Sequence, residues 1–273
     1  MLASAPLALD LAAALDPALF AQHAAGITLD PWQTDVLRSP AKRKLFNCSR
    51  QAGKSSVVAA LALHTALFEP GSLTLLLSPS ERQSGELAHT IWSYYRRIGR
   101  HVPPNTENTL TLELATGSRI KALPSQESNI RGFPRVRLLV IDEAAWVPDE
   151  LYHSVLPMLA VSGGNVVVLS TPCGKRGFFH KEWTEGGDDW ERVEIPATRY
   201  PRISPGFLEE QRRRMPAFRY QSEYECTFTE TLDQLYGFDV VQRAFENDLT
   251  PLFAPTPTAP APANTRAVMP LFS

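Results

Sequence analysis

The stretch "LFNCSRQAGKSS" at positions 45 to 56 decides how this chain is read. Leu45 and Phe46 form a short apolar run, and the apolar, helix-compatible segment "VVAALALHTALF" follows Ser56. Between them the chain passes through Ala52, Gly53, Lys54 and Ser55. Strand, loop and helix in that order suit a phosphate site: successive backbone N–H groups form a concave nest for anionic oxygens, and the helix N-terminus adds partial positive charge. Gly53 lets the backbone approach an anion closely, Lys54 can reach the outer phosphates, and the Ser55 hydroxyl can ligate Mg²⁺. Where the common pattern carries its first glycine this chain has Cys48, so the segment alone is an incomplete signature.

Two more segments complete a constellation. "RLLVIDEAAW" at 137 to 146 is a continuous aliphatic run, as in a parallel strand covered on both faces, that ends in adjacent carboxylates. At a strand end Asp142 would anchor the metal shell and Glu143 would orient and polarise an attacking water. "NVVVLSTP" at 165 to 172 is another buried-type strand whose polar end falls where parallel strands gather around a ligand. Ser170 and Thr171 there suit either coupling to a terminal phosphate or plain strand-end capping. Together the three segments read as a site for Mg²⁺-dependent hydrolysis of ATP.

In motif order and spacing the chain resembles the ATPase half of the large terminase subunit of tailed bacteriophages, from about Thr28 to Phe228. "SRQAGKS" is similar to that family's deviant phosphate loop, which tolerates the missing first glycine and carries an arginine where Arg50 stands. The resemblance implies that Arg50 acts in cis on the γ-phosphate, offsetting charge that develops during transfer. It also implies a nucleotide-binding set of Ser49, Arg50, Gln51, Ala52, Gly53, Lys54, Ser55 and Ser56. "ITLDPWQTDVL" at 27 to 37 looks like the family's adenine-recognition segment, with Gln33 as the amide that both donates to and accepts from the base edge. "SNIRGFPRVRLLVIDEAAWVP", "LSTPCGKRGFFHKEW" and "FLEEQRRRMPAFRYQSEYECTF" are similar to the surrounding family segments. The implied fold is a RecA- or terminase-like phosphate-loop core. The implied partners are double-stranded DNA, a capsid portal, a small terminase subunit and sister copies in a homo-oligomeric ring, and the implied location is the host cytoplasm.

Composition sets outer bounds. The chain has 273 residues, is 44% hydrophobic and 21% charged, and carries a net charge of −2, which suits a globular protein and excludes a globally basic nucleic-acid binder. DNA would be met by local patches: Lys42 to Lys44; Arg96, Arg97 and Arg100; or Arg212 to Arg214. Each equally suits a solvated face. Cys48, Cys173 and Cys226 show no paired spacing, which points to a reducing compartment and no structural zinc. The N-terminus is rich in Ala and Leu, but Asp10 and Asp16 interrupt it and it lacks the form of a signal peptide or membrane span.

The pattern predicts helices at 31–38, 54–68, 81–98, 149–159, 176–183 and 205–225. It predicts strands at 44–48, 73–78, 137–141, 165–170 and 190–195, with a hairpin in "TLTLELATGSRIKAL" that turns at Gly117. Such alternation implies an α/β fold: a doubly wound, mostly parallel sheet with helices on both faces. The expected organisation is an N-terminal helical extension (1–27), the ATPase domain (28–200), a helical linker segment (201–250) and a Pro/Ala-rich flexible tail (251–273). The segment after Glu230 is too short for a ribonuclease H-like nuclease, so no nuclease activity is expected here. Two other readings share these residues: a helicase-type ATPase, which needs a second core domain, and a degenerate nucleotide- or partner-binding module without turnover.

Overall fold

In the computed structural model residues 4–99, 102–125, 130, 132–199 and 203–230 are described. Arg100, the end of the linker segment and the 251–273 tail lie outside the described residues. The chain opens with α1 (Ser4–Leu15) and the single turn α2 (Pro17–Leu19), continued by a π-helical turn at Phe20–Ala24. Asp16 starts α2, its carboxylate accepting from the N–H groups of Ala18 and Leu19. Then come α3 (Pro31–Arg38), β1 (Arg43–Cys48), α4 (Lys54–Phe68), β2 (Leu73–Ser78) and α5 (Glu81–Arg97). A three-stranded antiparallel flap succeeds them: β3 (Pro104–Glu107), β4 (Thr111–Leu114) and β5 (Arg119–Pro124), with Gly117 at φ 80° in the β4–β5 turn. The remaining elements are β6 (Val136–Asp142), α6 (Asp149–Val155), α7 (Met158–Ser162), β7 (Asn165–Ser170), α8 (Gly177–Glu185), β8 (Glu191–Ile195), α9 (Pro205–Arg214) and α10 (Ala217–Glu225).

All eight strands form one mixed sheet in the order β3-β4-β5-β2-β6-β7-β1-β8, with parallel pairing from β5 through to β8. The continuous aliphatic runs are explained by helices on both faces. Phe46, Cys48, Leu76, Leu138, Val140, Val167 and Leu169 face a layer containing α3, α4 and α5; Leu45, Leu75, Leu77, Leu139, Ile141, Val166 and Val168 alternate to a layer containing α6 and α8. Helix α4 is buried almost all round through Val57, Val58, Ala59, Ala60, Ala62, Leu63 and Ala66, and its small side chains let it lie close to the sheet. The N-terminal segment packs on it: Phe20 meets His64 and Phe68 edge-on, and His64 Nε2 reaches the carbonyls of Ala13 and Ala14. Residues up to 230 belong to one compact unit. No described helix is long and apolar enough to cross a membrane.

The structure corrects the expected elements at prolines and at an edge. The helix expected over 149–159 is broken before Pro157, and that over 205–225 is broken at Met215–Pro216, where Met215 is extended (φ −118°, ψ 156°). A residue preceding proline is pushed out of the helical region, which ends α9. The expected hairpin gains β3, whose "PNTE" is polar and largely exposed and so shows no apolar alternation.

Candidate functional site

The C-terminal ends of β1, β6 and β7 open onto a cavity of about 930 Å³ lined by residues 50–56, Glu143, Trp146, residues 171–174 and a wall from α10 and the residue Thr229. Sheet order fixes this arrangement. Strand β7 lies between β1, which leads into the phosphate loop, and β6, which delivers the carboxylates.

The loop is shaped by two left-handed residues, Gln51 (φ 59°) and Gly53 (φ 76°). Gly53 is also the N-cap of α4, so the chain turns into the helix with its first N–H groups facing the cavity mouth. Lys54 comes next and is only 8% exposed. Its Nζ donates to Glu143 Oε1 at 3.2 Å and lies 3.4 Å from Thr171 Oγ1, which joins the first, second and third sequence segments at one ammonium. Ser55 is exposed at the helix start and Ser56 is half-buried, its N–H bonded to Gly53 O.

Asp142 is buried, and one carboxylate oxygen accepts the Glu143 N–H at 3.0 Å. Burial first and the neighbouring Glu143 charge second push its pKa up to about 6, against the opposing pull of Lys54. Glu143 sits in the left-handed region (φ 48°, ψ 45°), a strained conformation for a residue with a Cβ, and the short 3₁₀ turn Ala144–Trp146 comes directly after it. That kink turns its carboxylate toward Lys54. Ser170 is fully buried: its hydroxyl donates to Thr171 O at 2.8 Å and accepts from Ala145 N–H at 3.2 Å, tying the two strand-end loops together. Thr171, rather than Ser170, reaches the cavity.

Three expected site residues are held by partners within the protein. Gln33 is 1% exposed and does not line the cavity, because its amide accepts from Asp30 N–H at 2.9 Å and donates to Gly53 O at 3.2 Å. Ser49 is fully buried beneath the loop, its N–H donating to Ile195 O. Arg50 does line the cavity, but its guanidinium lies 3.4 Å from Glu223 on α10, and its N–H donates to Glu223 O at 2.9 Å. Glu223 also pairs with Arg219 at 2.9 Å, so one carboxylate is shared by two guanidinium groups.

Sequence reasoning missed the α10 wall of Phe218, Arg219, Ser222 and Glu223. It is fastened from below and from the side. Asn47 Nδ2 in β1 donates to Cys226 O at 2.7 Å, and Ser222 Oγ donates to Pro172 O. Trp146, 61% exposed at the rim, and Gln83 from α5 were missed too. Cys48 and Cys226 are small buried fillers whose thiols are pushed up by burial, that of Cys226 to about 12. Among the basic patches, Lys44 is spent on the carbonyls of Ser39 and Ala41, and Arg97 on Ala25 O, whereas Arg212 lies over the Tyr220 ring.

Sheet order, phosphate loop and strand-end carboxylates together define the class, a phosphate-loop domain of RecA-like fold. The family model described as "Terminase large subunit, T4likevirus-type, N-terminal" matches residues 45–243, and the chain belongs to that family. The large terminase subunit of Escherichia phage T5 is 26% identical over 214 residues, covering 74% of this chain and 48% of the relative. That of Thermus phage G20c is 25% identical over 168 residues, covering 54% of this chain and 34% of the relative. The chain thus spans about half or a third of the length of these relatives. Among solved structures, the large terminase ATPase domain of Thermus phage P74-26 superposes with a TM-score of 0.69 at 20% identity, over 76% of this chain and 97% of that one. The large terminase of a thermophilic bacteriophage, solved in complex with ATP-gamma-S, does so with a TM-score of 0.61 at 15% identity, over 74% and 53%.

Proposed function

We propose that this chain is the ATPase motor of a DNA-packaging terminase, converting Mg-ATP hydrolysis into translocation of double-stranded DNA into a procapsid. One observation carries the reading: a lysine at a left-handed loop and helix N-terminus shares a cavity with a strained glutamate, 3.2 Å apart, beside a buried aspartate. An anion nest and a water-activating carboxylate are the two halves of a phosphoanhydride hydrolase.

The donors fit the expected cation. Ser55 and Asp142 are a hydroxyl and a carboxylate, and among the described residues no group of three or more His, Cys, Asp or Glu side chains could hold a metal unaided. That suits Mg²⁺, which takes most of its oxygens from nucleotide phosphates and water. When bound, it supplies charge neutralisation at the phosphate oxygens. The chain's own residues do the rest. Backbone N–H groups of residues 51–55 hold the phosphates, and Lys54 exchanges its Glu143 partner for a phosphate oxygen. Glu143, so released, orients the water and accepts its proton, and Arg50 exchanges Glu223 for the γ-phosphate. Thr171 and Ser170 pass the change toward the α10 wall, since Ser222 is bonded to the same loop. DNA, the portal, a small subunit and sister copies in a ring complete the motor.

The test is phosphate release from Mg-ATP, with and without linear duplex DNA, by wild type and Lys54→Ala. Turnover stimulated by DNA and lost in the variant supports the motor. ATP binding without turnover in folded protein replaces it with a binding module, and strand separation replaces it with a helicase.

A further inference from the structure

We propose that Gln83 binds the third phosphate of the nucleotide and so tells ATP from ADP, an inference that rests on the nucleotide-site reading above. Among the described residues of α5 it alone lines the cavity.

Its place follows from the helix it heads. Gln83, Leu87 and Ile91 recur every four residues and share one face of α5, and Leu87 and Ile91 are buried in the core. At Gln83 that face reaches the cavity, because helical side chains lean toward the helix start and α5 starts just past the end of β2. The turn between β2 and α5 is tied down. Ser125 donates its N–H to Ser78 O at 2.8 Å and its hydroxyl to Pro79 O at 3.3 Å. The amide therefore stands on a fixed support.

The spacing from Ser80 to Gln83 is that of a capping box, in which the glutamine accepts the N-cap backbone N–H. Here the pairing differs. The Ser80 hydroxyl accepts the Gln83 N–H at 3.4 Å and donates to Gln83 Oε1 at 2.8 Å. That hydroxyl orients the amide, since only the amide oxygen can accept from it. Nε2 keeps two N–H donors, and among the described residues it has no protein acceptor.

Sheet order says which part of a nucleotide this donor meets. From the phosphate loop outward the strands run β1, β7, β6, β2. Lys54 comes after β1, Thr171 after β7, Glu143 after β6 and Gln83 after β2. The loop and Lys54 hold the inner phosphates at the β1 end, and the water oriented by Glu143 attacks the outermost one. Gln83 follows the strand beyond Glu143, so the phosphate within its reach is the last, and ADP ends short of it.

The experiment titrates wild type, Gln83→Glu and Gln83→Leu with ADP and with ATP-gamma-S, each with Mg²⁺, by calorimetry, and records a thermal melt of each protein. Gln83→Glu keeps an acceptor for the Ser80 hydroxyl and places a negative charge at a helix N-terminus, so its Tm is equal to wild type or higher; what it lacks is the donor. The expected result is that both variants bind ATP-gamma-S about ten- to a hundredfold more weakly, the size of one hydrogen bond to a charged group. ADP affinity stays within about threefold of wild type. Equal weakening of both ligands, or no change in either, overturns the proposal, because a residue that only caps α5 shifts Tm without shifting the ratio of the two affinities. If Gln83→Leu does not fold, Gln83→Glu decides. A wild-type protein that binds neither ligand overturns the nucleotide-site reading itself and this inference with it.

Discussion

Replacing Glu143 by glutamine separates chemistry from binding more cleanly than any other single change in the cavity. The amide keeps the size of the side chain and still accepts from Lys54, but it cannot take a proton from water. Loss of a positioned general base typically slows turnover by about 10² to 10⁴, or roughly 3 to 5 kcal/mol of barrier. Stability responds on a different scale. The Lys54–Glu143 pair joins side chains that are 9% and 27% exposed, so it lies between an exposed pair and a fully buried one. Losing its charge costs about 1 to 2 kcal/mol, and relief of the repulsion between Glu143 and buried Asp142 offsets part of that. The net shift in Tm should therefore stay within about 4 °C for a domain of this size. Steady-state phosphate release, ATP titration by calorimetry and a thermal melt on the same preparation read all three quantities. Turnover within about threefold of wild type would refute the assignment, since a working base is worth at least a hundredfold or so. A fall in ATP affinity as large as the fall in turnover would do so too, because it would make Glu143 a binding group.

Asn47→Leu removes the bond to Cys226 O that fastens the α10 wall to β1, and should destabilise by about 1 to 3 kcal/mol in urea unfolding, with faster proteolysis near α10. Gly164→Ala would set a Cβ 2.3 Å from Val136 O, a backbone atom that cannot swing aside, so a loss of about 2 to 3 kcal/mol is expected in the same assay. Burial holds the His64 pKa below its usual value, so the unfolded chain binds a proton there before the folded protein does. That contribution to stability is complete above about pH 6.5 and is lost as acidification carries the pH down through the folded value. His64→Gln should flatten the acid limb of a stability-versus-pH curve measured between about pH 7 and 5.

What could be read from the sequence was what is contiguous along it. The phosphate loop, the Asp142–Glu143 pair and the Ser170–Thr171 end each announce themselves because strand, turn and functional side chain are neighbours in the chain. The α10 wall had no such signal. Glu223 reaches Arg50, and Cys226 reaches Asn47, only through closure across most of the domain, and the intervening residues carry no motif that marks the pairing. Gln33 was found by resemblance, but sequence shows only that an amide can donate and accept, and its meetings with Asp30 N–H and Gly53 O needed the fold. The breaks at Pro157 and Pro216 were legible in principle: Pro216 pushes Met215 out of the helical region, and Pro157, behind a still-helical Leu156 (φ −55°, ψ −40°), has no N–H to continue the helix ladder. Strand β3 was not, because an edge strand facing solvent need not alternate.

The left-handed backbone of Glu143 has an implication for anyone trying to harden this protein. An L side chain held there carries roughly 1 kcal/mol of steric expense that glycine would escape. A screen that rewards heat resistance alone would thus drift toward glycine at the position proposed to supply the water-activating carboxylate, and on that proposal its most durable winners would be inert. Selection for robustness and selection for turnover pull this residue in opposite directions, so a thermostable working version has to gain its margin elsewhere and leave position 143 uncomfortable.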